Sequence, residues 1–335
     1  MWGIGRSREG GIEMRSKLVV VSMALLSAMV ARAPVWAEDY PSRSVQVIVP
    51  QSPGGLGDIA VRVLAPELSA SLGVPVVIEN KPGAGGTVGM AEARRAAADG
   101  STLALAAAGS FSINPHLQKN LPYDPLTNFE PVCRIGGAPS VLVVNPSLNV
   151  KSLPELLAKA KTDPVSFASG GNGTPSHLAQ ELLKARVKVQ FLHVPYRGTS
   201  QAVTDTMGGH SQALFETAGP LLGAIRAGQL IALGVTSPDR LPALPDVPTF
   251  KELGIPDLDL LGWNGLVVPA GTPETIIARL SKACELAVSA PEFLTFAKAN
   301  GYVISYAPAA EFRNHIISQL KKWGELVRLS GVKPQ

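Results

Sequence analysis

An α/β fold in two lobes is what the sequence predicts, and three observations carry it. Short apolar runs alternate with helix-period segments through most of residues 38–335, which argues for largely parallel sheets. The alternation restarts after Phe129-Glu130-Pro131-Val132, giving a second β-α series. The C-terminal part is too rich in helix to build a sheet of its own, so it is expected to return to the first series. Two lobes follow, with lobe 1 made of 38–137 plus 238–335 and lobe 2 of 138–237. The chain then crosses between them near 137 and near 237.

The first residues stand outside that fold. Arg15 and Lys17 precede the uncharged run Leu18–Ala31, and Val35-Trp36-Ala37 offers small residues at the −3 and −1 positions of a cleavage site. Fourteen residues are too few to cross a bilayer, which takes about 20. Residues 1–37 therefore read as a signal peptide cleaved near Ala37, with 1–13 an upstream start overcall and Met14 the initiator. The implied location is the periplasm. With no cysteine near the cleavage site, a lipid anchor is not expected.

In the first lobe Val45–Pro50, Val76–Glu79 and Thr102–Ala107 read as strands, and Asp58–Leu72 and Thr87–Ala98 as helices. In the second, the run Ser140–Val144 leads to helix at Leu153–Lys161, strand at Val165–Ala168 and helix at Ser176–Ala185. Strand at Val189–Val194, helix at Gln201–Met207 and strand at Leu230–Thr236 complete it. The prolines of 238–249 forbid regular structure there and predict a stiff surface segment. Leu266–Val268 reads as strand, and Pro273–Ser289 and Pro308–Leu329 as helices.

At 46% hydrophobic and 17% charged, the chain has the composition of an ordinary globular protein. Its formal charge of +4 falls to about +1 once residues 1–37, with five cations and two carboxylates, are set aside. No global charge remains to attract nucleic acid or an anionic membrane, so any anion must be held locally. Cys133 lies in an apolar strand-like stretch and Cys284 on a helix flank; spacing establishes no pair, and two buried thiols are expected.

Four segments share one design in which a strand ends, small residues follow and a helix begins. They are Ser52–Asp58, Pro82–Gly89, Ser169–His177 and Pro195–Ser200. Glycine lets the backbone approach a bound group, and the free N–H groups of a first helical turn carry partial positive charge. Small anions suit such ends, and Asp58, Thr87, Thr174 and Thr199 read as N-caps. Nucleotide binding is not favoured: Gly83–Gly89 misses the G-x-G-x-x-G spacing by one place, and no G-x-x-x-x-G-K-[ST] stretch occurs. A hydrolase is disfavoured too. There is no G-x-S-x-G elbow, and the histidines, at 116, 177, 193, 210 and 315, lack metal-ligand spacing. No catalytic residue, cofactor or metal is expected.

Further residues carry a resemblance. Pro50-x-x-x-Gly54-Gly55-x-x-Asp58, Glu79-Asn80-Lys81-Pro82-Gly83-Ala84-Gly85-Gly86, Ser169-x-Gly171-x-Gly173-x-x-x-His177-Leu178, Val194-Pro195-Tyr196-Arg197-Gly198 and Trp263-x-Gly265-Leu266 occur in that order. Pro122-Tyr123-Asp124-Pro125 and Leu241–Thr249 add to the set. Together they resemble the Bug family, the extracytoplasmic receptors of tripartite tricarboxylate transporters, over essentially all of 38–333.

The resemblance implies a type II (Venus-flytrap) periplasmic binding protein, each lobe a β-sheet flanked by helices, with two crossover segments. Such a receptor is a monomer that closes on a small carboxylate or amino-acid-like ligand and delivers it to the permease subunits of a tripartite transporter. Presentation of the closed form to a sensor protein is the alternative. The implied ligand-binding positions are Gln51, Ser52, Gly54, Gly55 and Asp58 in the first loop and Gly83, Ala84, Gly85 and Gly86 in the second. In the third are Ser169, Gly171, Asn172, Gly173 and His177, and beyond it Tyr196, Arg197, Gly198 and Glu216. Backbone N–H groups are the implied donors.

Asp58 is expected to order its loop, because a carboxylate facing a ligand carboxylate would repel it. His177 is expected to pair structurally with Glu181 at i,i+4, and Arg197 to be a solvated rim charge or a bidentate donor. Two departures from the family pattern bear on the ligand. Gln51 stands where an aromatic residue is usual, and Glu216 where aspartate is usual, and both lean away from a purely anionic ligand. Dicarboxylates, tricarboxylates, acidic amino acids, aromatic acids and amides all stay open.

Overall fold

Val45–Val49 is apolar at every position but Gln46, and such a strand is stable when both faces are covered. It forms β1, paired in parallel with β2 (Val76–Asn80) on one side and β3 (Thr102–Ala107) on the other. The helices α1 (Leu56–Leu72) and α2 (Thr87–Ala93) occupy the two connections. The computed structural model describes residues 1–2, 40–258 and 260–332. Of the segment Met1–Tyr40 only Met1, Trp2 and Tyr40 are described, so the expected export run and its cleavage site lie outside the described residues; the folded unit begins at Pro41.

After the short helix α3 (Asn114–Leu117) comes β4 (Phe129–Val144), a single strand of 16 residues. The second series follows as α4 (Leu153–Ala160), β5 (Val165–Ser169), α5 (Pro175–Val187), β6 (Phe191–Pro195), α6 (Thr199–Met207), β7 (Ala213–Thr217), α7 (Ala218–Arg226) and β8 (Ile231–Val235). The chain ends with β9 (Leu261–Pro269), α8 (Glu274–Ser289), α9 (Pro291–Asn300), β10 (Val303–Pro308) and α10 (Ala309–Ser330).

Strand β4 serves two sheets. From Phe129 to Pro139 it pairs antiparallel with β9, and β10 takes its other edge. From Ser140 to Val144 it pairs antiparallel with β7 and β8 instead. The first sheet therefore runs β2-β1-β3-β9-β4-β10, and the second β8-β4-β7-β5-β6. Phe111, Phe129, Trp263 and Phe312 are fully or almost fully buried on the first sheet, and Phe167 and Phe215 on the second, within one apolar cluster.

Several expectations need correction. The restart at Phe129–Val132 falls inside one continuous strand, with register shifts after Pro131 and Arg134. The sheets are mixed: only the β2-β1-β3 and β7-β5-β6 triplets are parallel, and β3–β9 and every pairing of β4 are antiparallel. The second helix stops at Ala93. Strands β7 and β10 and helices α7 and α9 were not anticipated. The proline-rich stretch is irregular, yet Leu241 and Leu244 are buried in a cluster with Leu221 and Val235, so it is fastened to the core.

The two cysteines are not free. Helix α8 packs over β4 and brings the Cα atoms of Cys133 and Cys284 to 6.6 Å, and a disulfide joins them. A contact between residues 151 apart leaves no trace in spacing, which is why two thiols were expected. A loop of that length removes much chain entropy from the unfolded state. Replacing both cysteines by serine is expected to cost about 2–5 kcal/mol, read as a lower denaturant midpoint, and reductant is expected to lower the midpoint of the parent but not of the double variant.

Candidate functional site

Loops that leave the strands of both sheets converge on a cavity of about 370 Å³, a size suited to a small organic ligand. The first sheet contributes Pro50–Ser52 and Gly55–Gly57 after β1, Pro82–Gly86 after β2 and Ala107–Ser110 at the end of β3. The second contributes Gly170–Asn172 and Thr174–Ser176 after β5, Pro195–Thr199 after β6, and Glu216 and Thr217 of β7. Ala138 and Ser140 of β4 and Gly262–Asn264 of β9 close it.

The first loop is organised by a side chain that does not face the cavity. Asp58, 1% exposed, accepts hydrogen bonds from the Gly54 N–H (2.9 Å), Asn80 Nδ2 (2.8 Å) and Arg62 Nε (3.1 Å). Asn80 Nδ2 also donates to the Gln51 carbonyl at 3.0 Å, which ties the β2 end to the first loop. Burial pushes the Asp58 carboxyl up, but the Arg62, Asn80 and Gly54 hydrogen bonds prevail and hold it below the usual carboxylate range. Asp58 is the third helical residue, reaching back past the N-cap Gly55, as in a capping box. Leu56 and Gly57, at the first two helical positions, keep N–H groups that no intrahelical carbonyl can take, and both line the cavity.

In the second loop Asn114 donates to the Gly85 carbonyl (3.0 Å) and to Thr87 Oγ1 (3.1 Å). Gly85 has φ +63°, and a Cβ there would stand 2.5 Å from the Asn172 carbonyl oxygen of the third loop. Glycine is thus required on two counts, the backbone conformation and the approach of the opposing loop.

The third loop satisfies most of its own donors. Gly171 N–H donates to Ser169 Oγ (3.2 Å), and the same hydroxyl shares a hydrogen bond with His193 Nε2 at 2.7 Å. Gly173 N–H donates to His177 Nδ1 (3.4 Å), and the two imidazoles stack with centroids 4.3 Å apart. Burial, then the adjacent His177, lowers His193 to about 4, and burial lowers His177 as well. Glu181 pairs with Lys184 rather than hydrogen-bonding His177, acting on the ring only through its charge.

In the fourth loop Gly198 is the N-cap of α6, and a Cβ on it would collide with Ser52. Ser52 Oγ donates to the Arg197 carbonyl (3.3 Å), and Ser200 Oγ donates to the Pro53 carbonyl (2.7 Å). First and fourth loops therefore touch across the cavity mouth. Glu216 is buried, accepting from Thr199 Oγ1 (2.8 Å), Thr217 N–H (2.8 Å) and Thr217 Oγ1 (3.1 Å). Burial pushes its carboxyl up despite those bonds.

Of the positions anticipated, Gln51, Ser52, Gly55, Gly83, Ala84, Gly85, Gly86, Gly171, Asn172, Tyr196, Arg197, Gly198 and Glu216 line the cavity. Gly54, Asp58, Ser169, Gly173 and His177 stand behind it and shape the loops. Only Thr174 of the four expected N-caps is one, its Oγ1 accepting the His177 N–H; the other helices are capped by Gly55, Gly86 and Gly198. Ala107–Ser110, Leu56, Gly57, Ala138, Ser140, Thr199, Thr217 and Gly262–Asn264 were among those missed. The first of these had a signal, since Ala108-Gly109-Ser110 ends a strand in small residues as the four loops do.

A family model described as the tripartite tricarboxylate transporter family receptor matches residues 60–332. The chain belongs to that family. The receptor is 37% identical to the protein BugT of Bordetella pertussis over 325 residues, 96% of this chain and 99% of the relative. An R. palustris protein solved with adipate superposes with a TM-score of 0.85 at 27% identity, covering 88% of this chain and all of the other. MatC from Rhodopseudomonas palustris, solved with bound malate, gives 0.81 at 29% identity, covering 86% of this chain and 100% of its own. The fold is that of two-lobed periplasmic binding proteins, and the family is one of solute-binding receptors rather than enzymes. Among the described residues no helix is long and apolar enough to cross a membrane.

The lowered imidazoles behind the third loop are expected to make the protein sensitive to acid. A folded imidazole lowered from 6.5 to about 4 leaves the unfolded chain holding more protons through that window, so stability falls as pH drops through it. Thermal melts of the parent and His193→Gln across the window are expected to diverge, the variant losing less midpoint temperature. Parallel curves would show that His193 does not set the acid response.

Proposed function

We propose that the chain is a periplasmic receptor that closes on a small carboxylate and delivers it to the permease subunits of a tripartite tricarboxylate-type transporter. The observation that carries this is one cavity walled by helix-leading loops of both sheets, with Leu56 and Gly57 offering first-turn N–H groups to it. A carboxylate gains from such donors because they are fixed and carry the positive end of the helix. Asp58 keeps the first loop in shape from behind, where its charge meets Arg62 instead of the ligand.

Closure is the second half of the reading. Lobe 1, from 38–137 and 238–335, and lobe 2, from 138–237, move about their two crossings. Ser52–Arg197, Ser200–Pro53 and the Gly85–Asn172 approach are contacts of the closed state. Affinity is coupled to closure because the third and fourth loops reach the ligand only then. That two solved relatives hold malate and adipate supports a carboxylate group on the ligand.

The test is a thermal-shift screen of residues 38–335 against small carboxylates, with calorimetry on each hit. Saturable stabilisation is expected, about 2.7 kcal/mol at a hundredfold excess over Kd. Gly85→Val is expected to stay folded and lose that response, since its side chain meets the Asn172 carbonyl. A folded Gly85→Val protein with parent affinity would sink the backbone-clamp mechanism.

A further inference from the structure

Asparagine followed by glycine occurs three times in the chain, at 172–173, 264–265 and 300–301. A glycine in that place leaves its amide nitrogen unshielded by a β-carbon and open to the asparagine Cγ. Two of the three pairs are locked. Asn264-Gly265 lies inside β9, paired on one edge with β3 and on the other with β4. At the end of α9, Gly301 N–H donates to the Ala297 carbonyl and Asn300 Nδ2 to the Phe296 carbonyl at 2.9 Å. The remaining pair differs on each count. Asn172 stands on a loop, is exposed, and its side-chain amide makes no hydrogen bond among the described residues. Gly173 N–H points at a base instead of a carbonyl: His177 Nδ1 lies 3.4 Å away. Burial lowers that imidazole, against the pull of Glu181 and with that of Lys184, so its lone pair is free at neutral pH.

We propose that Asn172-Gly173 is a deamidation site built into the third loop, with His177 as the base that draws the proton from the Gly173 amide. The nitrogen's electron pair attacks Asn172 Cγ as its proton passes to His177 Nδ1, and the new N–Cγ bond closes a succinimide ring. His177 returns the proton to Asn172 Nδ2, the Cγ–Nδ2 bond breaks, and ammonia leaves. Water then opens the ring at either carbonyl, leaving aspartate or isoaspartate. Both products put a carboxylate on the cavity wall where a neutral amide stood, and a carboxylate ligand of the kind proposed above meets it as a like charge. Isoaspartate also reroutes the backbone through the side chain and turns the Asn172 carbonyl that faces Gly85 into the free carboxylate. Ageing of one amide thus disables the third loop.

Peptide mapping by mass spectrometry follows all three asparagines in the purified receptor held at neutral pH, both folded and in guanidinium chloride. In the folded protein Asn172 is expected to convert while Asn264 and Asn300 keep their amides, and to convert faster than in the unfolded chain. Guanidinium is expected to level the three. His177→Gln keeps an acceptor for Gly173 N–H but no base; with its melting midpoint unchanged, it is expected to slow conversion at Asn172 about tenfold or more. Conversion at Asn172 no faster than at the other two in the folded protein overturns the proposal, as does a folded rate at or below the unfolded one. A folded His177→Gln protein that converts at the parent rate overturns it too. The mass readout requires no ligand, so its result stands apart from the receptor reading.

Discussion

Backbone pairing along β4 is the constraint on which the other features depend. Sixteen residues of one strand give their first part to β9 and β10 and their last five to β7 and β8. Hydrogen bonds of a strand are directional, so each sheet is oriented by the same stretch of chain. The switch at Pro139–Ser140 is steered by two neighbours. The Ser140 N–H donates to Thr236 Oγ1 at 2.8 Å, and Thr236 Oγ1 donates on to the Leu260 carbonyl at 2.8 Å. The crossing strand and the return crossing are thereby tied together where the two sheets meet.

Given that frame, the loops have little freedom in what they can do. The parallel triplets β2-β1-β3 and β7-β5-β6 send each following helix from the same end of its strand, so the helix-leading turns gather at one cleft. Within the cleft the loops differ in how they spend their donors. The third turns most of its N–H groups inward to Ser169, Ser176 and His177. The first hands only Gly54 and Gly55 to internal acceptors and leaves its first helical turn open. Internal hydrogen bonds and donors left for the cavity draw on the same groups, and the two loops divide them unequally.

The parts of this organisation that were legible in the sequence are those written in local chemistry. Apolar runs such as Val45–Val49 and glycine turns such as Gly83–Gly86 announce themselves, because a fully covered strand and a left-handed turn each admit few residue types. What stayed hidden depends on partners remote in sequence. β10 is half-exposed with mixed composition and exists through its pairing with Gly136 and Gly137 of β4. Asp58 read as a cap by residue type, whereas its position three residues into α1 and its link to Asn80 are set by tertiary packing. Asn114, which steadies the second loop from 29 residues away, had no local mark at all.

The Cys133–Cys284 bond stays wholly within the first sheet and its covering helix, joining β4 to α8. Neither end lies on β5–β8 or on a loop that walls the cavity. The covalent tether therefore secures one lobe without spanning the mouth between the lobes. Reduction of that bond weakens the first sheet's hold on its covering helix, and the contacts at the cavity mouth, which are hydrogen bonds, do not depend on it. Durability and responsiveness are assigned to different bonds, so either can change over evolutionary time without disturbing the other.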